Sequence, residues 1–261
     1  MAIPRLVVLG VVVLAAASGI ASAAPALTRA EGRTVVEAAR YRLTLAREAL
    51  EVAVEVRAEG GNWQPVTTNP GGISFGVMAG DDAATSNGLP VVWEEVPAGD
   101  AVALACRATL SPISGDALEV HLLCARDGVL VGCRYDAGSA RPQAGSLWSP
   151  PRLMLSPAVW DAYAFWAGDG TYHAGPIAGL EPPPAYAGVS AWGSQGDTAG
   201  RLAAATPALV VQSTSAKSGF GVVFVDYGTA WAGSRSFLQR HTPGTLYLYT
   251  GYTPLAAGPL P

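Results

Sequence analysis

Residues 117–135 read Ala-Leu-Glu-Val-His-Leu-Leu-Cys-Ala-Arg-Asp-Gly-Val-Leu-Val-Gly-Cys-Arg-Tyr, and this stretch decides the fold class. Two apolar runs, 117–125 and 129–135, are separated by Arg-Asp-Gly. Asp-Gly between apolar runs is a strong hairpin signal, because a type I′ turn needs positive φ at both central positions. The stretch therefore predicts two antiparallel strands joined by a turn at Asp127-Gly128.

The neighbouring sequence extends this hairpin into an antiparallel meander. Apolar runs at 91–96 and 101–110 precede it, separated by Pro-Ala-Gly-Asp and Ser-Pro-Ile-Ser-Gly-Asp. Farther upstream, residues 40–45 form a candidate strand, and Leu50, Val52, Val54 and Val56 alternate with mostly polar residues, as in a half-buried strand. A helix over 36–57 competes, since Ala, Glu, Arg and Leu favour helix, but the alternation favours a strand for the second half of that range.

The rest of the chain repeats this pattern of short strands. Turn-rich segments divide it at roughly 8–12-residue spacing, which is typical of sandwiches and barrels. We therefore predict an all-β fold, a large antiparallel two-sheet sandwich with little helix. The further strands are expected at 73–77, 152–155, 162–166, 171–173, 189–192, 208–212, 221–227 and 245–249.

The N-terminus has the pattern of a secretory signal peptide. Arg5 precedes an apolar run over 6–17, and Ala21-Ser-Ala23 supplies a small-residue cleavage site. An uncleaved anchor is the alternative, but the run is shorter than the ~20 residues that span a bilayer. We expect a signal peptide at 1–23, a lead-in at 24–33, one β-sandwich domain at 34–252 with a possible division at 137–151, and a C-terminal tail at 253–261. The mature protein would be secreted, periplasmic or extracellular, with no stable membrane span.

Charge and composition exclude some partners. The chain has 16 Lys and Arg against 20 Asp and Glu, a net charge of −4, and removal of Arg5 makes it −5. This mild acidity lacks the basic face that nucleic-acid binding needs. We expect no nucleic-acid partner.

Three cysteines, Cys106, Cys124 and Cys133, make an odd number for an exported chain. One disulfide with a free thiol is one interpretation. All three lie in apolar strand-like runs, however, and small buried thiols are the favoured interpretation.

The candidate ligand site lies in residues 159–201, where tryptophans alternate with polar side chains on glycine-rich segments. Aromatic rings beside carboxylate, amide and guanidinium groups suit a polar ligand with one apolar face, and a sugar is such a ligand. A core role for the rings and capping or surface roles for the polar groups are the alternatives. The predicted binding residues are Trp166, His173, Trp192, Gln195, Asp197 and Arg201.

No sequence motif identifies a catalytic residue. Gly188-Val-Ser190-Ala-Trp192 has Trp where a nucleophile elbow needs Gly, and neither HExxH nor a Walker motif is present. Glycoside cleavage needs two carboxylates. Asp161, Asp169, Glu181, Asp197 and Asp226 are candidates only by neighbourhood, so the catalytic residues are unknown. We predict no metal and no cofactor.

The chain resembles the galactose mutarotase-like supersandwich domain of secreted carbohydrate-active enzymes. The resemblance spans residues 34–252. It rests on the export signal, on an early run of paired strands, on Trp93-Glu-Glu, and on the meander that ends at Gly128-Val-Leu-Val-Gly-Cys-Arg-Tyr135. It implies a saccharide or polysaccharide ligand and, in many such enzymes, a separate downstream catalytic domain. Mutarotases use a His and a Glu on the sandwich face, but neither falls on a matching motif here.

Three hypotheses follow. The first is an exported carbohydrate-binding sandwich, the N-terminal or accessory domain of a glycoside hydrolase-like protein. The second is a structural or adhesion-type envelope sandwich without a small-molecule site. The third is a free-standing sugar epimerase or hydrolase that uses His173 and a carboxylate.

Overall fold

The structure is a computed structural model, and it consists almost entirely of β-strands. It describes residues 10–15, 23–68, 72–75, 77–79, 82–84, 88–111, 116–136, 153–166, 172–179, 208–225, 234–242 and 245–252. Within these ranges there are 19 strands, numbered β1 to β19 in chain order, and one 3₁₀ turn, Ile177–Gly179. The prediction of an all-β fold with little helix is confirmed.

A nine-stranded antiparallel sheet forms one layer, in the order β15-β14-β16-β17-β1-β12-β11-β10-β9. It contains the predicted meander and, as a central strand, a segment of the predicted signal peptide. Its strands are β1 (Gly10–Ala15), β9 (Glu94–Val96), β10 (Val102–Ser111), β11 (Asp116–Ala125), β12 (Gly128–Asp136), β14 (Ala162–Trp166), β15 (Tyr172–Pro176), β16 (Ala208–Ser213) and β17 (Ser218–Val225).

A five-stranded antiparallel meander forms the second layer, in the order β2-β3-β4-β5-β6. Its strands are β2 (Ala26–Ala30), β3 (Arg33–Glu37), β4 (Tyr41–Ala46), β5 (Val52–Arg57) and β6 (Trp63–Pro65). A smaller sheet holds β13 (Leu153–Leu155), β18 (Ser234–Thr242) and β19 (Thr245–Tyr252), and β7 (Val77–Ala79) pairs with β8 (Asp82–Ala84).

The two large sheets share one apolar core. In β4 and β5 every second residue is buried, and Leu50, Val52, Val54 and Val56 are each at most 2% exposed. The predicted alternation is confirmed, and the competing helix is wrong. Buried residues of both sheets form one hydrophobic cluster, and the Tyr41 hydroxyl donates to the Ala125 carbonyl oxygen at 2.6 Å. The sandwich-like packing follows from this shared core.

The hairpin between β11 and β12 is present, but its turn lies one residue earlier than predicted. Ala125 pairs with Gly128, so Arg126 and Asp127 form the turn and Gly128 belongs to β12. In this register buried residues face buried residues: Cys124 pairs with Val129, and Leu122 with Val131. A one-residue slip would move the apolar set to the other face of the sheet, so core burial outweighs the local Asp-Gly preference.

Several other boundaries need correction. The predicted lead-in, residues 24–33, contains β2, and the Gly-, Pro- and Asn-containing segment 58–72, whose composition is typical of a loop, contains β6. Both are edge strands of their sheet and mostly exposed or half-buried, so neither carries an apolar alternation. Of the predicted strand 91–96, only Glu94–Val96 pairs as a strand. Of the residues that the structure describes within 73–77, Ser74 makes an isolated bridge and Val77 begins β7. No strand is predicted at the position of β18.

The three cysteines are free, and all are buried in the core. The interpretation as small buried thiols is confirmed. Burial raises the pKa of Cys106 and of Cys124 to about 12, and it also raises the pKa of Cys133. They therefore remain protonated at neutral pH and contribute as apolar groups.

In the part of the chain that the structure describes, no helix has the length and apolar character needed to cross a membrane. The possible subdivision at 137–151 and the tail at 253–261 lie outside the described residues.

Candidate functional site

The residues predicted to bind a ligand are mostly outside the described part of the chain. Trp192, Gln195, Asp197 and Arg201 all lie there, as do Asp169, Glu181 and Asp226. Trp166 and His173 belong to the paired strands β14 and β15, where Trp166 is opposite Tyr172 and His173 opposite Phe165. The structure describes only the backbone of these two, so the proposed saccharide contacts of the whole set stay a prediction.

Trp160, the first tryptophan of the predicted ligand-binding stretch, belongs to the core. Its side chain is 1% exposed, and its Nε1 donates to the Val66 carbonyl oxygen at 3.1 Å. Its ring meets Phe220 of β17 edge-on, with centroids 4.9 Å apart. Trp160 therefore joins the segment after β6 to the nine-stranded sheet.

A crevice of about 330 Å³ lies where a hairpin turn of the five-stranded sheet meets one of the nine-stranded sheet. Its volume is at the lower end of the range for small-ligand sites, about 300–1,000 Å³. One side is the β5–β6 turn and the start of β6; the other is the β16–β17 turn. The lining residues are Ala58, Glu59, Gly60, Asn62, Trp63, Gln64, Ser215, Ala216 and Lys217.

The β5–β6 turn is closed by its own backbone. The Ala58 amide donates to the Asn62 carbonyl oxygen at 2.8 Å, and the Gly61 amide donates to the Ala58 carbonyl oxygen at 2.9 Å. Gly61 has φ of 84°, a conformation that glycine adopts without steric cost. Asn62, Trp63 and Gln64, at the end of this turn and the start of β6, line the crevice. Trp63 pairs with Arg57 and Gln64 with buried Val56, so their side chains lie on opposite faces of the sheet.

Two arginines fix the indole of Trp63. The guanidinium carbon of Arg57 lies 4.4 Å from the ring centroid, and that of Arg42 lies 4.9 Å from it. Each arginine is also paired, Arg42 with Glu55 at 2.6 Å and Arg57 with Glu37 at 3.3 Å. Cation–π contacts of this kind contribute about 0.5–1 kcal/mol at exposed sites, so the half-buried ring is held in one position.

The opposite turn is held by Ser213 and Asp161. Asp161 Oδ1 accepts from the Thr214 amide at 2.9 Å, and its Oδ2 accepts from the Thr214 hydroxyl. The Ala216 amide donates to Ser213 Oγ at 3.3 Å, and Lys217 completes the turn with φ of 48°. Hydrogen bonds from the Thr214 side chain, then its backbone amide, lower the pKa of Asp161. Asp161, a candidate catalytic carboxylate by sequence, thus positions the turn that carries Ser215 and Lys217.

An ion pair bridges the two turns across the crevice. Lys217 Nζ lies 3.0 Å from Glu59 Oε2, and the two side chains are 71% and 65% exposed. At such exposure an ion pair contributes little to stability, about 0–1 kcal/mol. These groups therefore remain accessible to a ligand.

Chemically, the crevice combines one aromatic residue, Trp63, with several neutral hydrogen-bonding groups and the ion pair of Glu59 and Lys217. The amides of Asn62 and Gln64 each donate and accept, and so does the Ser215 hydroxyl. The sequence does not point to this site, because residues 58–72 are rich in Gly, Pro and Asn, lack a strand-like apolar alternation and are typical of a loop. The run Asn62-Trp63-Gln64, an aromatic residue flanked by amides beside a glycine turn, was the available signal.

A second, larger groove of about 740 Å³ lies near the edge strand β9. Its floor includes Arg107, Glu119 and His121. Glu119 accepts from Arg107 at 2.5 Å and from Arg134 at 3.3 Å, while His121 Nε2 lies 4.0 Å from it. Because both oxygens of Glu119 are engaged by guanidinium groups, this cluster acts as a ladder of cross-strand ion pairs over β10, β11 and β12.

Within the described ranges, no group of three or more His, Cys, Asp or Glu residues is placed to hold a metal ion. Neither family models, curated proteins nor solved structures give a match to this chain.

Proposed function

We propose that this chain is an exported carbohydrate-binding β-sandwich, the N-terminal or accessory domain of a glycoside hydrolase-like protein. The observation that carries the proposal is a crevice lined by Asn62, Trp63, Gln64 and Ser215, beside which two arginines hold the Trp63 indole. An indole offers an apolar surface to the C–H face of a sugar, while amides and hydroxyls exchange hydrogen bonds with its hydroxyl groups.

The pre-formed geometry supports this assignment. A ligand gains affinity when the groups that contact it are already ordered, since less conformational entropy is lost on binding. Here the Trp63 ring is held by Arg42 and Arg57, and the turn bearing Ser215 is held by Asp161. The small volume suits one end of a saccharide rather than a long enclosed chain.

The proposal also includes a second region of ligand contact, formed by the binding residues predicted from the sequence. Trp166, His173, Trp192, Gln195, Asp197 and Arg201 would add rings and polar groups that bind further sugar units. The galactose mutarotase-like resemblance and a downstream catalytic domain are likewise proposed.

The test is a tryptophan-fluorescence titration of the folded, exported protein against a panel of mono- and polysaccharides. Wild type is compared with Trp63→Ala, Trp192→Ala and Trp93→Phe. The last is the matched control, because it removes an indole that does not line the crevice. We expect saturable binding that falls at least tenfold in Trp63→Ala and is unchanged in Trp93→Phe.

Asn62→Ala and Gln64→Ala sharpen the result. Each should weaken binding by roughly three- to tenfold, since a hydrogen bond contributes about 0.5–1.5 kcal/mol. Loss in Trp192→Ala alone would move the site to residues 159–201. A flat response from folded wild type across the panel would contradict carbohydrate binding.

One observation favours the structural or adhesion-type alternative. Val92 and Val96, beside and within the short edge strand β9, are 73% and 44% exposed. An exposed strand edge can pair with another chain. In β9 the exposed Val96 follows two exposed glutamates, Glu94 and Glu95, so the apolar part of this edge is limited to the two valines. If this edge is the functional surface, the protein should self-associate with rising concentration in light scattering, and Val96→Lys should abolish that association without affecting sugar titrations.

A further inference from the structure

The central strand of the nine-stranded sheet comes from the stretch that the sequence predicts to be removed on export. β1 pairs with β17 over six residues, from Gly10 opposite Val225 to Ala15 opposite Phe220. On its other side, Val11 and Val12 pair with Val131 and Leu130 of β12. Cleavage after Ala23 would therefore take one strand out of the middle of the sheet.

The vacated slot would have a defined width and direction. β17 and β12 are both antiparallel to β1, so they run parallel to each other, two strand spacings or roughly 9–10 Å apart. Each would present unpaired backbone amide and carbonyl groups to the slot, which is a costly arrangement in a sheet centre.

The core holds the two sides of the slot apart. Phe220 and Val222 on one side, and Val129 and Val131 on the other, are all at most 1% exposed and belong to one hydrophobic cluster. If β12 and β17 closed the slot by pairing directly with each other, both groups of buried residues would have to move. The two strands would then form a parallel pair in place of two antiparallel ones. An added strand would preserve this packing.

The sequence and register of β1 indicate which kind of segment could replace it in the slot. Positions 11, 13 and 15 are opposite buried Val131, Val222 and Phe220, so an occupant needs apolar residues at alternate positions. The segment Gly10–Ala15 reads GVVVLA, with no charge and three β-branched residues. Such residues favour extended backbone.

We propose that the slot between β12 and β17 is a strand-acceptor site. In the mature protein it binds an extended, uncharged, apolar segment of at least six residues from a partner protein, antiparallel to both flanking strands. This is β-strand addition, in which backbone hydrogen bonds supply affinity and alternate side chains supply specificity. The inference rests on the export part of the proposed function and is independent of sugar binding.

The experiment uses the exported protein, with its N-terminus determined by mass spectrometry. The probe is a synthetic peptide of residues 8–17 carrying terminal lysines for solubility, and the matched control carries Val13→Asp, which puts a charge opposite buried Val222. Binding is measured by fluorescence anisotropy, and protection by amide hydrogen exchange. We expect one peptide per chain, slowed exchange in residues 129–133 and 220–225, and at least tenfold weaker binding of the control peptide.

Three results would overturn the proposal. If mass spectrometry shows that the exported chain keeps residues 10–15, β1 stays in the sheet and no slot forms. A processed monomer that binds no peptide and is already protected at both strands has closed it. A processed dimer with both strands protected shows that a second copy, not a partner, fills it. Sugar titration of the same sample reports separately on carbohydrate binding.

Discussion

The centre of the sandwich and the crevice at its turns both lie between the same two sheets. They differ in whether their polar groups are buried and hydrogen-bonded within the protein or exposed. In the centre, the polar atoms of Tyr41 and Trp160 are bonded to backbone carbonyl oxygens, and the three thiols are protonated. In the crevice, Asn62, Ser215 and the pair Lys217–Glu59 are exposed. The buried hydroxyl of Tyr41 and indole N–H of Trp160 already have partners within the protein, whereas the exposed groups at the hairpin turns can still form hydrogen bonds with a ligand.

The largest expected effect is the difference in thiol reactivity between the native protein, where the cysteines are buried, and the unfolded protein. Because thiolate is the reactive form, a pKa raised to about 12 for Cys106 and Cys124 makes these groups inert near neutral pH. We expect alkylation at pH 8 to be at least a hundredfold slower in native protein than in urea, measured by mass spectrometry over time. Rapid labelling of any of the three in the native state would show that the centre is not the dry core described above.

Trp160→Ala should cause the largest loss of stability. It removes a fully buried ring, its contact with Phe220 and its bond to Val66, and a change of this kind costs about 3–5 kcal/mol in free energy of unfolding. Urea denaturation followed by circular dichroism measures it. If the alanine variant does not fold, Trp160→Phe should still fold, with a loss of about 1–3 kcal/mol.

Trp93→Phe is the matched control for that prediction. Within the described part of the chain, Trp93 Nε1 is buried and has no hydrogen-bond partner. Replacing it by an apolar edge removes an unsatisfied donor, so the free energy of unfolding should be unchanged or higher. If Trp93→Phe lowered the free energy of unfolding as much as Trp160→Phe does, the hydrogen bond of the Trp160 indole would not be the reason for the loss.

Asp161→Asn should have a smaller, pH-dependent effect. The folded-state pKa of Asp161 is lowered, so its contribution is present above the unfolded value, about 3.9, and disappears as the pH falls through the folded value. At pH 7 we expect the variant to be less stable by about 0.5–1 kcal/mol, given the exposed bonds. The gap between variant and wild type should narrow below about pH 4 in urea titrations, and a constant gap would contradict the charged hydrogen bond to Thr214.

Lys217→Ala should have the smallest effect on stability. Its ion pair with Glu59 is largely exposed, so the free energy of unfolding should change by less than about 0.5 kcal/mol. The same variant should still weaken saccharide binding if Lys217 contacts the ligand. A stability loss comparable to that of Asp161→Asn would mean that the crevice is held together mainly by this ion pair.

The fold class and many of the strands can be predicted from the amino-acid sequence. The period-two pattern from Leu50 to Val56 and the apolar runs at 117–125 and 129–135 are local signals, and a half-buried strand needs no distant residue to produce them. The sequence also favoured buried thiols, since all three cysteines lie within such runs. The edge strands β2 and β6 were missed because exposed strands carry no such alternation.

Contacts between distant residues become visible in the folded chain alone. The tertiary structure paired Arg42 and Arg57 with Trp63, brought the turn at 58–62 to the turn at 214–217, and assigned Trp160 to the core although its sequence context resembles a ligand surface. It also placed Gly10–Ala15 between β12 and β17 and moved the predicted Asp127-Gly128 turn by one residue. These contacts depend on which apolar faces are buried together, and those faces come from residues far apart in the sequence. Local secondary-structure propensity does not contain this information.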